Sequence, residues 1–259
     1  MACGENPKRV YGGKGRMPST RMGNMAVNRE TWIKAQEYRR KRDEGKLESR
    51  DLAMETLAGV LDGEILIQNH CYKAEEMALV VDMAKEAGYK VSTFHHAVEA
   101  YKIGDLLKEN DICSAVWADW WGFKMESYDG IPENAGLLYK AGACVVIHSD
   151  DENGIQRLNQ EAAKAQGDAH RIGIDVPDAE VIRWLTLNPA KAIGIDKLTG
   201  SLAEGKMADV VLWNGNPLSV YSRPEKVWVD GALLFDAQNP ARRPVSDFEL
   251  GQSGEGDVK

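Results

Sequence analysis

From residue 64 onward the chain alternates short, continuous apolar runs with longer amphipathic stretches, and this cadence limits the possible folds more than any other feature. The runs Ile65–Asn69, Lys90–His95, Ile112–Ala118 and Ala143–Ser149 are rich in β-branched residues. Continuous apolar strands of this kind belong to parallel sheets covered on both faces. The stretches that follow, 74–87, 98–109, 133–141 and 155–166, carry apolar residues at helical spacing. Four strand-then-helix units of roughly 25–30 residues each predict an α/β fold. A closed parallel barrel needs eight strands, so the fold class expected is a partial TIM-type (β/α) barrel comprising about its last four βα units.

The flanks read differently. Residues 24–61 predict two helices with no strand between them, the first presenting Trp32, Ile33, Ala35 and Tyr38 and the second running from Glu48 to Leu61. Pro177 and Asp178 open a helix through Leu187, and Asn188-Pro189 starts a short one ending near Gly194. Short strands are then expected at Asp209–Trp213, Lys226–Val229 and Ala232–Phe235, the last two joined by Asp230-Gly231, a strong hairpin signal. The tail from Asn239, rich in Pro, Arg, Gly and Ser, is expected to be loose. The division expected is 1–199 as the incomplete barrel and 200–259 as a small β-sandwich portion with its tail.

Charge narrows the function classes. The first fifty residues are basic and the rest strongly acidic. The basic run Arg39, Arg40, Lys41 and Arg42 lies in a predicted helix without interleaved aromatics, which argues against nucleic acid as partner. No apolar run approaches the roughly 20 residues of a membrane helix, and residues 1–14 lack the apolar core of a signal peptide. The cytoplasm is the default compartment, and self-association is left open. Cys3, Cys71, Cys113 and Cys144 show no C-x-x-C spacing and are read as reduced, mostly buried thiols. The segment 11–16, Tyr-Gly-Gly-Lys-Gly-Arg, lacks phosphate-loop spacing and is read as a loop.

Three of the four strands end on metal-ligating residue types: His70 after the first, the pair His95-His96 after the second, and Asp150 after the fourth. In parallel α/β folds the C-terminal strand ends converge, so residues distant in sequence meet at one mouth. Imidazole with carboxylate suits zinc, with iron or manganese as alternatives. His148 points opposite to its neighbours by strand alternation, and His170 is assigned to a loop; neither is taken as a ligand. Trp117, Trp120 and Trp121 follow the third strand, where they serve equally well as pocket wall or packing.

ILIQNHCYKAEEMA (65–78), FHHAVEAYKIGDLL (94–107) and VVIHSDDENG (145–154) resemble the strand-5, strand-6 and strand-8 motifs of metal-dependent amidohydrolases of the imidazolonepropionase-like group. WLTLNPAKAIGI (184–195), GSLAEGKMADVVLW (200–213) and KVWVDGALLF (226–235) resemble the exit from that barrel into its small β-sandwich, and GENPKRVYGG (4–13) with STRMG (19–23) the region after barrel strand 4. Residue by residue, the resemblance implies His70 and His96 as metal ligands and Asp150 as both ligand and general base; apart from that match, Arg21 and Tyr72 are taken as candidates to contact a substrate carboxylate or scissile group. The resemblance implies a divalent metal, zinc foremost, and a hydrolase that cuts a carbon–nitrogen bond in a cyclic amide, amidine or dipeptide-like small molecule. The family's H-x-H pair has no counterpart in these residues, and its strand-4 bridging residue would fall before Met1. The chain is therefore expected to be the C-terminal portion of such an enzyme, with impaired activity. The alternative is a non-catalytic pseudoenzyme that retains remnants of the fold.

Overall fold

The computed structural model describes residues 1–120 and 122–242. Three helices come first: α1 (Glu5–Gly12), α2 (Arg21–Asp43) and α3 (Leu52–Leu61). The Thr20 hydroxyl caps α2 by accepting from the Gly23 amide, and the Asp51 carboxylate caps α3 by accepting from Ala53 and Met54. Trp32, Ala35 and Tyr38 form the buried stripe of α2, and Ile33 faces solvent. The segment 11–16, expected as loop throughout, begins inside α1, whose last residues are Tyr11 and Gly12.

The βα cadence then appears as β1 (Ile67–Cys71), α4 (Ala74–Ala87), β2 (Val91–His96), α5 (Gly104–Glu109), β3 (Cys113–Val116), α6 (Asn134–Ala141), β4 (Cys144–Ile147) and α7 (Leu158–Arg171). The four strands pair in parallel in chain order, β1-β2-β3-β4. Every crossover thus steps to the adjacent strand in the same direction, the order that a singly wound barrel also uses. Among the described residues the sheet has these four strands and does not close. Its first edge is extended by residues 1–3: Ala2 bridges His70, the Cys3 amide donates to the His70 carbonyl at 2.7 Å, and the Met1 ammonium donates to the Gln68 carbonyl at 2.9 Å.

The two faces of the sheet differ. Phe94, Val116, Val145 and Ile147 join the main core with Met77, Val80, Leu107, Leu138 and Trp184. The opposite face carries a small cluster, Cys113, Ala115, Val146 and Ala192. Ala192 comes from α9 (Leu187–Ala192), which follows α8 (Asp178–Arg183). One continuous helix from 178 to 187 was expected; instead α8 stops at Arg183 and a turn through Thr186 redirects the chain onto the sheet. His170, expected in a loop, lies in the last turn of α7, which extends past Gln166 because Ala162, Ala165 and Ala169 keep one face buried.

Residues past 200 form a second sheet that shares no strand with the first. Its strands β5 (Val210–Trp213), β6 (Pro224–Val229) and β7 (Ala232–Asp236) are antiparallel. Asp230 and Gly231 both take positive φ, 48° and 79°, as the two-residue hairpin turn requires. None of the strand residues in this sheet is fully buried. The tail expected to be loose falls, from residue 243, outside the described residues. Among the described residues no helix is long and apolar enough to cross a membrane.

The cysteines correct the sequence expectation: Cys3 is bonded to Cys71 and Cys113 to Cys144. Sequence separations of 68 and 31 give no local signal, and the pairings arise from the sheet. Cys113 and Cys144 are register partners on adjacent strands, and Cys3 is brought beside β1 by the Ala2 bridge. Denaturation and alkylation without reductant is expected to modify no cysteine, and the same treatment after reduction all four. In the loop-entropy model the two links stabilise the fold by about 4 kcal/mol each, so reduction is expected to lower the denaturant midpoint sharply. Free thiols in the native, unreduced chain would contradict the pairing.

Candidate active site

Strand alternation and two backbone kinks bring the histidines together. His95 on β2 and His148, one residue past β4, are in phase with Ala115 and Val146, on the same side of the sheet as the small cluster. His96 would point the other way, but it ends β2 in a left-handed conformation, φ 69°, followed by Ala97 at 33°. Asp150, just past β4, is also left-handed at 53°. Such conformations are uncommon outside glycine and cluster at functional sites.

The kinks place the His96 ring against its neighbours. Ring centroids lie 4.6 Å from His70, 5.1 Å from His148 and 4.6 Å from Trp117, on which His96 stacks. Asp150 Oδ2 is 3.8 Å from His96 Nδ1. His96 Nδ1 and His148 Nε2 are buried without a hydrogen-bond partner. His95 Nε2 is 2.7 Å from Gln68 Oε1, and His70 Nε2 is 3.1 Å from Asn6 Nδ2. Asp151 is occupied elsewhere: its carboxylate accepts from the Asn153 and Gly154 amides at 2.9 and 2.5 Å and so shapes the turn. Asp150 is left to face His96.

Burial is the leading cause of every shift in this cluster and favours neutral imidazole. It pushes His96 down to about 2, helped by His148, His70 and His95, and His148 down to about 3, helped by His95. His70 is lowered by burial and then by the Lys124 charge, and His95 by burial and then by the N-terminal ammonium. Neutral imidazoles are the form that binds metal.

The donor chemistry fits a divalent ion in part. An orphaned, buried Nδ1 on His96 opposite the Asp150 carboxylate, with His70 alongside, offers nitrogen and oxygen donors of the types zinc takes. Among the described residues, however, no group of three or more His, Cys, Asp or Glu side chains converges tightly enough to constitute a formed metal centre.

Of the two residues expected to contact substrate, Tyr72 lies in this mouth. Its ring is 5.0 Å from His70 and 5.3 Å from His96, with the Lys124 ammonium 4.0 Å above it. Arg21 is engaged by protein: its guanidinium pairs with Glu76 at 2.5 Å and Glu126 at 3.2 Å, both carboxylates almost wholly buried. Glu76 also accepts from the Gly4 amide and Glu126 from the Glu5 amide, each at 3.0 Å, so the network anchors the start of α1 and with it Asn6. Glu126 fills the space a Cβ on Gly4 would need, and Gly4 adopts φ 71°, so glycine is required there. Asn6, Lys124 and His148 are site residues that sequence reasoning missed. Only His148 carried a signal, since its strand phase matches His95.

The chain is similar to known proteins over most of its length. Residues 130–235 match the model of the amidohydrolase family. Over 254 residues the chain is 30% identical to Amidohydrolase tasK of Hapsidospora irregularis, an alignment covering 91% of this chain and 25% of that protein. An amidohydrolase from Thermotoga maritima MSB8 superposes with a TM-score of 0.81 at 34% identity, covering 91% of this chain and 62% of that one. A zinc-bound adenosine deaminase from Xanthomonas campestris shares the fold at 18% identity and a TM-score of 0.54, covering 73% and 50%. The chain thus spans about a quarter of one relative and under two thirds of another. Residues 130–235 thus carry an amidohydrolase family domain, and over most of its length the chain is similar to proteins named amidohydrolase.

Proposed function

We propose that the chain carries the second half of the active-site mouth of a hydrolase that cleaves carbon–nitrogen bonds in small molecules such as cyclic amides, amidines or dipeptides. The observation that supports this best is the partnerless His96 Nδ1, buried opposite Asp150 and beside His70. His70, His96 and Asp150 would hold the divalent ion, zinc by donor type, with iron or manganese as alternatives. When bound there, the ion would supply Lewis acidity, which makes water a stronger acid and a scissile carbonyl more electrophilic. Asp150 takes a proton from the attacking water and returns it to the leaving nitrogen; its exposed carboxylate at the mouth suits both transfers. Tyr72 and Lys124 flank the same space, and Lys124, held by Glu5 at 2.9 Å, keeps a positive charge beside the reacting group. Arg21 acts on the site through the Glu76–Glu126 network that seats α1.

A second reading, a non-catalytic protein with weak metal affinity, is favoured by the absence of a converged three-donor cluster among the described residues. The two are separated by loading the purified chain with zinc, counting metal per chain, and assaying dipeptides and cyclic amides. If the first holds, His96→Ala loses bound metal, and Asp150→Asn weakens metal binding and slows hydrolysis by about 10²–10⁴-fold even when metal is supplied in excess. Turnover that survives both substitutions would remove these residues from the mechanism, and metal binding without turnover would select the second reading.

A further inference from the structure

The loop that leaves β3 exposes aromatic rings beside the histidine cluster. Trp117 is buried and locked by a 2.8 Å hydrogen bond from its indole N–H to the Ser149 carbonyl. It stacks on His96 at 4.6 Å and 30° and on His148 at 5.0 Å and 29°. Trp120 lies nearly parallel to Trp117 at 5.7 Å and 19°, and Phe123 stands edge-on to both, at 5.6 and 6.3 Å. His96, Trp117 and Trp120 therefore form a ladder whose inner end is the candidate site and whose outer end is in water: Trp120 is 44% exposed and Phe123 52%. Trp121 falls outside the described residues.

Three charged side chains around this lip, Asp119, Lys124 and Asp129, are matched by partners within the protein. Asp119 pairs with Lys164 at 2.8 Å, Lys124 with Glu5 at 2.9 Å, and Asp129 with Lys102 at 3.2 Å. Among the described residues one exposed charge left without an ionic partner near the rings is the Asp150 carboxylate, at the inner end beside His96, which disfavours an anionic substituent. The cavity behind the rings, between His96, Val98, Trp117 and Trp120, measures about 10 Å³, room for no more than one water, so a ligand ring cannot enter there. The exposed parts of Trp120 and Phe123 are the surface open to a ring, and offset stacking and edge contacts are favourable there.

We propose that Trp120 and Phe123 form a subsite for a flat, uncharged ring, so that the substrate is an amide bearing an aromatic substituent next to the bond cut. This rests on the hydrolytic reading above for the word substrate, and on the aromatic lip alone for the ring. Binding to the full chain is measured by saturation-transfer NMR with N-acetyl-phenylalaninamide, N-acetyl-leucinamide and N-acetyl-aspartic acid amide, none of which has to be turned over. The phenylalanine probe is expected to bind tightest, with its ring protons receiving the most saturation. Trp120→Ala and the bulk-preserving Trp120→Leu are each expected to weaken it about three- to tenfold, the value of one aromatic contact, with little effect on the leucine probe. Equal affinity for all three probes, or unchanged affinity in folded Trp120→Leu, overturns the subsite. Ring-selective binding without any hydrolysis would keep the subsite and reject the hydrolytic reading; hydrolysis without ring preference would do the reverse.

Discussion

Acidification from about pH 7.5 to 4.5 is expected to unfold the metal-free chain, because two histidines are held neutral in the fold. The unfolded chain titrates its histidines near 6.5, whereas burial pushes His96 down to about 2 and His148 down to about 3. The sign follows from proton counting. Both folded pKa values are depressed, so below 6.5 the unfolded state binds more protons, and stability falls as pH falls. The contribution is complete above about pH 6.5 and is lost progressively toward pH 3. Each histidine costs about 1.4 kcal/mol per pH unit in that window, hence about 3 kcal/mol each by pH 4.5. The two rings are in contact and titrate as a coupled pair, so the combined loss is somewhat below the sum, about 5 kcal/mol. That is comparable to the whole stability of many domains. Groups facing the pair are His70, His95, Asp150 and Lys124; the first two are also lowered and steepen the loss. Urea unfolding of the chelator-treated chain across this range is the measurement, with His148→Gln expected to reduce the slope. A midpoint that does not move between pH 6.5 and 4.5 would show that these rings are not held neutral by burial.

Replacing Arg21 by methionine is expected to destabilise the chain by about 3 kcal/mol, although the site of substitution is on the surface side of α2 and a third exposed. The reason lies with its partners. Glu76 and Glu126 are 3% and 2% exposed at their side chains, and the guanidinium is what compensates two carboxylates removed from water. Breaking a buried pair from one side leaves an uncompensated charge, which costs about 3–5 kcal/mol; the exposure of Arg21 puts the expectation at the lower end. Burial already raises the Glu76 pKa, and without the Arg21 charge it rises further. Arg21→Lys is expected to rescue little, since one ammonium cannot span both carboxylates. The test is a double-mutant cycle: Glu76→Gln should recover a large part of the loss in the Arg21→Met background. Additive effects of the two substitutions would show that the pair is not coupled. The same variant is expected to loosen Asn6 from His70, because Gly4 and Glu5 are held by the carboxylates that Arg21 pairs with.

The sequence by itself determined the elements whose signals are local. Period-3.6 apolar spacing marked α2 and α4, β-branched runs marked β1 to β4 within two or three residues, and Asp230-Gly231 marked the β6–β7 hairpin. It also singled out His70, the pair His95-His96 and Asp150 as candidates, because a strand end is a position readable from the apolar run before it, and the family resemblance chose His96 from the pair. What only the tertiary structure decided depends on which strands become neighbours and how the backbone turns. The disulfides are invisible as spacings of 68 and 31 residues and become obvious once Cys113 and Cys144 are register partners. Asp150, already preferred from the motif, faces His96 because its own backbone is left-handed and two amides claim Asp151. His148 reads as a residue pointing away from its neighbours, yet away is toward His95 and His96, since sheet register rather than sequence sets what lies across. Arg21 reads as a free cation near the site, and long-range packing gives it two buried carboxylates, 55 and 105 residues away. Local periodicity specifies elements because it acts through the backbone geometry of a few neighbouring residues. Pairing, burial and protonation state depend on residues brought together across the whole chain.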